Sequence, residues 1–184
     1  MKNLKRVLSL GLASIMLVGM MAVGASAAET KEFTDASEIQ KTEAVTTMAA
    51  LNVINGKDNG SFDPDGNVTR GEMAKMITIM LNGGKEPVLS TGSTPKFSDV
   101  TTHWARKYIE YCAGEQQGVI AGRGDGTFAP DAPVTGTEAA KMVLTALGYN
   151  STIFKFTGID WALNVNSWAN GPDAQLYTEL KNID

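Results

Sequence analysis

The chain has 184 residues and a formal net charge of −4, with charged residues at 20% and hydrophobic residues at 43%. That hydrophobic share excludes wholesale disorder, and the sparse charge excludes a polyelectrolyte tail and argues against a nucleic-acid binder. One Cys and one His leave no intramolecular disulfide, multi-cysteine zinc site or His-based metal site to expect, so no cofactor and no metal is assigned.

The first 27 residues read as a secretory signal peptide. Lys2, Lys5 and Arg6 make a positive start, Val7 to Val23 is uncharged and apolar, and Ala25-Ser26-Ala27 supplies a small-x-small cleavage pattern. The alternative is an uncleaved anchor, which a stretch of seventeen residues would barely support. No Cys follows the stretch, which excludes lipoprotein attachment. Without those three cations, 13 basic residues face 20 acidic ones, a balance of −7. An anionic partner would therefore have to be held by local cations against a repulsive overall field.

The remainder is organised by a duplication. Ile54 to Met76 and Ile120 to Met142 are identical at twelve of 23 positions, at an offset of 66. Phe33-Thr34-Asp35 and Phe97-Ser98-Asp99 open the two units 64 apart, so the second unit carries two extra residues, assigned to Glu115 to Gly118. In chain order, Ala44, Val45, Met48 and Ala49 predict the apolar face of a first helix, matched in the second unit by Trp104, Ala105, Tyr108, Ile109 and Cys112. Each helix runs into a Gly-rich connection, 56–66 or 122–133, with Phe62 or Phe128 as its single large apolar anchor.

A second helix is predicted in each unit from Thr69-Arg70-Gly71-Glu72 and Thr135-Gly136-Thr137-Glu138. Both match the S/T-x-x-E capping box, which makes Thr69, Glu72, Thr135 and Glu138 structural helix caps. Met73, Met76, Ile77 and Met80, and Ala139, Met142, Val143, Ala146 and Leu147, are the expected core stripes, ended by Gly83-Gly84 and Gly148. Lys85 to Lys96 is polar with two prolines and reads as a linker. After Tyr149, Trp161-Ala162 echoes Trp104-Ala105, and Phe154 lies seven residues before its Trp, as Phe97 does. The domain plan is thus signal peptide 1–27, repeat 28–84, linker 85–96, repeat 97–149 and a degenerate, truncated third repeat 150–184.

Together the signal peptide, the Phe-x-Asp openings, His103-Trp104-Ala105, the Gly-rich loops with their Asp-Gly-Thr-Phe character and Val68-Thr69-Arg70-Gly71-Glu72 resemble the S-layer homology domain of bacterial cell-surface proteins, over nearly all of residues 33–184. The resemblance implies an all-α fold of helix-loop-helix units in a pseudo-threefold bundle, here with an incomplete third unit. It also implies binding of secondary cell-wall polysaccharide, often pyruvylated, in grooves between units, and hence a secreted protein of the cell wall or S-layer that leaves the membrane once its signal is cleaved. Arg70 matches the family arginine that reaches the anionic sugar substituent, with Gly71 in place of the usual Ala. Trp104 is a candidate for stacking on a sugar face, and Asp99, Gly56 and Gly122 complete the candidate polysaccharide-binding set.

Beside the resemblance, a guanidinium fork at a helix start suits a carboxylate, whereas the structural alternative for Arg70 is a solvated surface arginine. For Trp104 the alternative is core packing. Because Gly136 takes the arginine position in the second unit, a weaker groove is expected there unless Arg123 or Lys141 substitutes. Enzyme readings find little support. His103 is expected to cap or lie at the surface, Cys112 to be inert, and Asp63, Asp65, Asp125 and Asp131 to form turns. The Asp63-Pro64-Asp65-Gly66-Asn67 start of a calcium loop breaks at Val68 and Ala74. The expected function is non-enzymatic anchoring to cell-wall glycan. The alternatives are a self-assembling surface-layer protein and the anchoring part of a longer cell-wall enzyme.

Overall fold

A computed structural model describes residues 31–88, 94–114, 118–149 and 153–170. The signal-peptide reading and the end of the third unit lie outside these. The described chain is all-α. Helix α1 spans Thr42–Ala50 and α2 Arg70–Leu81; α3 spans Arg106–Ala113, α4 Gly136–Ala146 and α5 Trp161–Asn170. A 3₁₀ turn precedes each unit's first helix, at Ala36–Glu38 and Ser98–Val100. Among the described residues the one β-bridge is an isolated antiparallel contact, Thr69 with Pro133, and no helix is long and apolar enough to cross a membrane.

Both capping boxes close. The Glu72 N–H donates to Thr69 Oγ1 at 3.2 Å while the Thr69 N–H donates to Glu72 Oε2 at 2.8 Å. Thr135 and Glu138 repeat the exchange at 3.2 and 3.0 Å. Helix α2 ends where Gly83 and Gly84 adopt φ of 62° and 80°, and the Gly84 N–H returns to the Ile79 carbonyl.

The apolar stripes are rotated from those expected. Along α2 the buried residues are Arg70, Gly71, Ala74, Ile77, Thr78 and Ile79, while Met73, Met76 and Met80 flank the core half-buried. Small residues face α3 because the two helices touch closely there: Thr78 Oγ1 donates to the Tyr108 carbonyl at 3.1 Å and lies 3.0 Å from Cys112 Sγ. Burial pushes the Cys112 thiol up to about 11, against the pull of the Thr78 hydrogen bond, so it stays a thiol. In α1, Val45 and Ala49 are buried but Ala44 is exposed. In α4, Met142 and Leu144 are buried and Leu147 is exposed.

The main core joins α2, α3 and the second unit's loop through Ile77, Val100, Ile109, Cys112 and Phe128. A smaller cluster holds Phe33, Ile39, Val45 and Ala49. A third, on α5, is built on Leu144, Phe156 and Val165. The fully buried ring ahead of α5 is thus Phe156, with Phe154 stacked beside it. The linker is tied down at both ends: Glu86 pairs with Lys107, and the Lys96 N–H donates to Glu110.

Candidate functional site

The two Gly-rich loops are built by the same devices. Both carboxylate oxygens of Asp99 accept backbone N–H groups, from Phe128 at 2.9 Å and Ala129 at 2.7 Å. Asp35 does the same for Phe62 and Asp63 at 2.8 and 2.7 Å. Ala129 and Asp63 take φ of 57° and 62°, a left-handed backbone that these paired acceptors hold in place. Gly56 and Gly122 lie under the opening phenylalanines: a Cβ at Gly122 would stand 2.5 Å from the Phe97 ring and 2.6 Å from the Thr127 carbonyl, and one at Gly56 would meet Phe33 and Ser61 likewise. Asp99, Gly56 and Gly122 therefore shape the loops.

Arg70 is neither solvated nor confined to its own unit. Only 3% exposed, it crosses to the second loop, where Nε donates to the Phe128 carbonyl at 2.8 Å and Nη2 to the Ala121 carbonyl at 3.0 Å. Nη1 lies 3.2 Å from Glu138 Oε1, and the guanidinium carbon sits 4.4 Å over the Phe128 ring. Its backbone docks on the same loop: the Arg70 N–H donates to Ala132 at 2.9 Å and the Gly71 N–H to Pro130 at 2.8 Å. Burial, followed by the nearby Arg123, lowers the Arg70 pKa, while Glu138 and Asp99 oppose the shift.

A cleft of about 240 Å³ opens beside this contact, walled by Arg70, Gly122, Arg123, Glu138 and Lys141. Three cations and one carboxylate thus line the same cleft, and Arg123, on the exposed side, reaches Glu138 at 2.6 Å. Arg70, Arg123 and Lys141 share this one cleft, so it does not lack an arginine. Gly136, by contrast, lies exposed with open space where a Cβ would stand. A second cleft, of about 280 Å³, includes Gly56, Lys57, Glu72, Lys75 and Trp104. Trp104 is 53% exposed, so it stands at this surface rather than in the core. The candidate residues therefore separate into two places, Arg70 with Gly122 and Trp104 with Gly56, and Asp99 lines neither. Lys57 and Lys75 were not anticipated, although the offset of 66 maps them onto Arg123 and Lys141. His103 fastens the junction: Nδ1 accepts the Ala105 N–H at 3.1 Å, and Nε2 lies 3.0 Å from Asp131.

Burial alone would raise the pKa of Glu138, but the Thr135 N–H and the guanidinium groups of Arg70 and Arg123 outweigh it and hold the carboxylate below its usual range. A carboxylate with a depressed folded pKa contributes stability above its unfolded value, about 4.3, and loses it as pH falls through the folded value. Urea midpoints are expected to drop on acidification below about pH 4.3, and Glu138→Gln to flatten that part of the profile. An unchanged profile in the variant would contradict the assignment.

The family profile of the S-layer homology domain matches residues 32–74 and 96–140, the two units just described. The chain belongs to the S-layer homology family. It is 33% identical over 88% of its length to a cell surface protein of Thermoanaerobacter kivui, and 30% identical over its whole length to a surface layer protein of Brevibacillus choshinensis. It is also 30% identical over 82% of its length to an uncharacterized cell wall amidase of Bacillus anthracis. It spans 20%, 17% and 27% of these relatives respectively. S-layer homology membership places the chain at the bacterial cell surface, in the cell wall or its surface layer.

Proposed function

We propose that this chain anchors its polypeptide non-covalently by binding an anionic secondary cell-wall polysaccharide, and that it carries out no reaction itself. One observation carries the reading: in a chain of net charge −4, Arg70, Arg123 and Lys141 line a single open cleft whose one carboxylate, Glu138, pairs with both arginines. Such a site suits one negative substituent on a sugar, for which pyruvate is a fitting example. The exposed Arg123 supplies the planar donor fork, Lys141 a second cation, and buried Arg70 a fixed positive charge behind them. Trp104 at the other cleft offers an exposed ring for an apolar sugar face. Asp99, Gly56 and Gly122 act as positioning residues through the loops they hold.

The test is retention of the full chain on purified sacculi with and without their polysaccharide. Retention is expected to vanish with the polysaccharide, to weaken as salt is raised, and to fall at least tenfold for the Arg123→Ala/Lys141→Ala double variant. Arg123 is an exposed ion-pair partner, so its removal should cost less than about 1 kcal/mol of stability. Retention that ignores removal of the polysaccharide would sink the proposal and favour packing of the chain against copies of itself.

A further inference from the structure

The capping-box glutamates divide their two oxygens between two tasks. In the second cleft, that of the second unit, Glu138 Oε2 accepts the Thr135 N–H at 3.0 Å, which ties the carboxylate to the start of α4. Its Oε1 turns to the loop, where Arg70 Nη1 lies at 3.2 Å and Arg123 Nη1 at 2.6 Å. The first cleft, that of the first unit, repeats the division. There Glu72 Oε2 accepts the Thr69 N–H at 2.8 Å and Oε1 pairs with Lys57 at 3.2 Å. Lys57 and Glu72 precede Arg123 and Glu138 by the repeat offset of 66, so a loop cation seated on the cap carboxylate belongs to the repeat.

The groups that meet at Glu138 are unequally free to move. Glu138 cannot turn away without opening the capping box. Arg70 is buried, and its Nε and Nη2 are bonded to the Phe128 and Ala121 carbonyls. Arg123 is fixed only through its backbone, whose N–H donates to the Thr127 carbonyl at 2.8 Å; its side chain is 38% exposed. If it leaves, Arg70 still neutralises Glu138, so no half-buried charge is stranded. Moreover, Glu138 gives Arg123 a single oxygen, because the other is engaged in the cap, whereas a free carboxylate offers both to a guanidinium fork.

We infer that Glu138 is a fixed internal counter-ion, and that the cleft takes up an anionic substituent by exchange: the Arg123 guanidinium swings off Glu138 onto the incoming carboxylate while Arg70 stays behind. This rests on the reading of the cleft as an anion site. Two properties follow. The resident carboxylate opposes any second one brought close to it in a partly buried site, and so keeps affinity low and binding reversible. It also selects, since exchange favours planar anions with two oxygens over a point anion such as chloride.

The probe is sodium pyruvate, replacing sodium chloride at constant ionic strength in a solution of the full ¹⁵N-labelled chain. The buffer is mildly acidic, so that guanidinium N–H signals are visible; Glu138, held below its usual range, stays ionised there. The Arg123 Nε–H signal is expected to move and that of Arg70 to stay. Glu138→Gln, which keeps the capping box, is expected to bind pyruvate at least tenfold more tightly. The control is Asp125→Asn, the same change of charge in the same loop. The fold tolerates it, because Asn59 already holds the Ser61 N–H and hydroxyl in the first unit as Asp125 holds those of Thr127 in the second. Its affinity is expected to rise no more than about twofold. Equal or weaker binding by a folded Glu138→Gln would overturn the inference and make Glu138 the residue that holds Arg123 in place. Equal tightening by Asp125→Asn, movement of the Arg70 signal, or no shift with pyruvate would also overturn it. Should Glu138→Gln fail to fold, the wild-type signals decide alone. Retention on sacculi separates the two readings: retention that ignores the polysaccharide, with exchange as expected, removes only the glycan, and polysaccharide-dependent retention without exchange removes only the counter-ion.

Discussion

Arg70→Ala is expected to cost about 3 kcal/mol of folding stability, far more than loss of an exposed helix-start arginine. The variant strands two carbonyls, those of Phe128 and Ala121, and removes the inner partner of Glu138, which lies 15% exposed and keeps only Arg123 among the guanidinium groups beside it. It also lifts the cation off the Phe128 ring. Arg70→Lys should recover little, because a single ammonium cannot satisfy two carbonyls and a carboxylate that diverge around a planar fork. Urea denaturation is the measurement, and midpoints for both variants within error of wild type would show the buried contacts to be idle. Since the same side chain walls the cleft, loss of wall binding in Arg70→Ala would report unfolding as much as lost contact. Arg123 and Lys141 are therefore the sharper probes of binding.

Burial of this arginine was not legible in the sequence, for a definite reason. The resemblance and the helix-start position both mark Arg70 as a cation facing a ligand, but its partners lie 51 to 68 residues away in another unit. Repeat identity relates equivalent positions, not contacting ones. What was legible came from local rules: the capping boxes, the glycine stops and the two loops all follow from residues within one turn or one hairpin. Helix stripes were read less well. In α2 the methionines satisfy the apolar period, yet Ala74 and Thr78 take the centre because close approach to α3 favours small side chains and a hydroxyl can donate to Tyr108. Trp104, grouped by spacing with the α3 face, precedes the helix and turns outward beside the first cleft.

Asp99 shows the same division between chemistry and position. A carboxylate in each Phe-x-Asp opening invites a ligand role, but the Gly-rich loop of the same unit brings two N–H groups to it. Its duplicate, Asp35, repeats the arrangement with the first loop. One duplicated motif thus sets two loops in the same shape. The two loops differ in what covers their edges, and that difference is measurable as energy.

Phe128→Ala should be the most damaging single truncation, at about 4 kcal/mol, the range for emptying a filled aromatic site in a core. The ring is fully buried, packs on Phe97 and carries the Arg70 guanidinium on its face. Its backbone N–H is held by Asp99 and its carbonyl by Arg70, so the loop cannot collapse into the cavity without breaking those bonds as well. Phe62→Ala removes the same ring from the same place in the first unit, where it is only half-buried beside an open cleft. Its loss is expected to be smaller, about 2 kcal/mol, because less apolar surface returns to water. The gap between the two variants, read from urea midpoints at equal slope, measures what an inserted helix start adds to a loop. Equal losses would mean that the guanidinium and the helix-start backbone docked beside it contribute nothing to the second unit, and that the two loops are energetically alike whether covered or open.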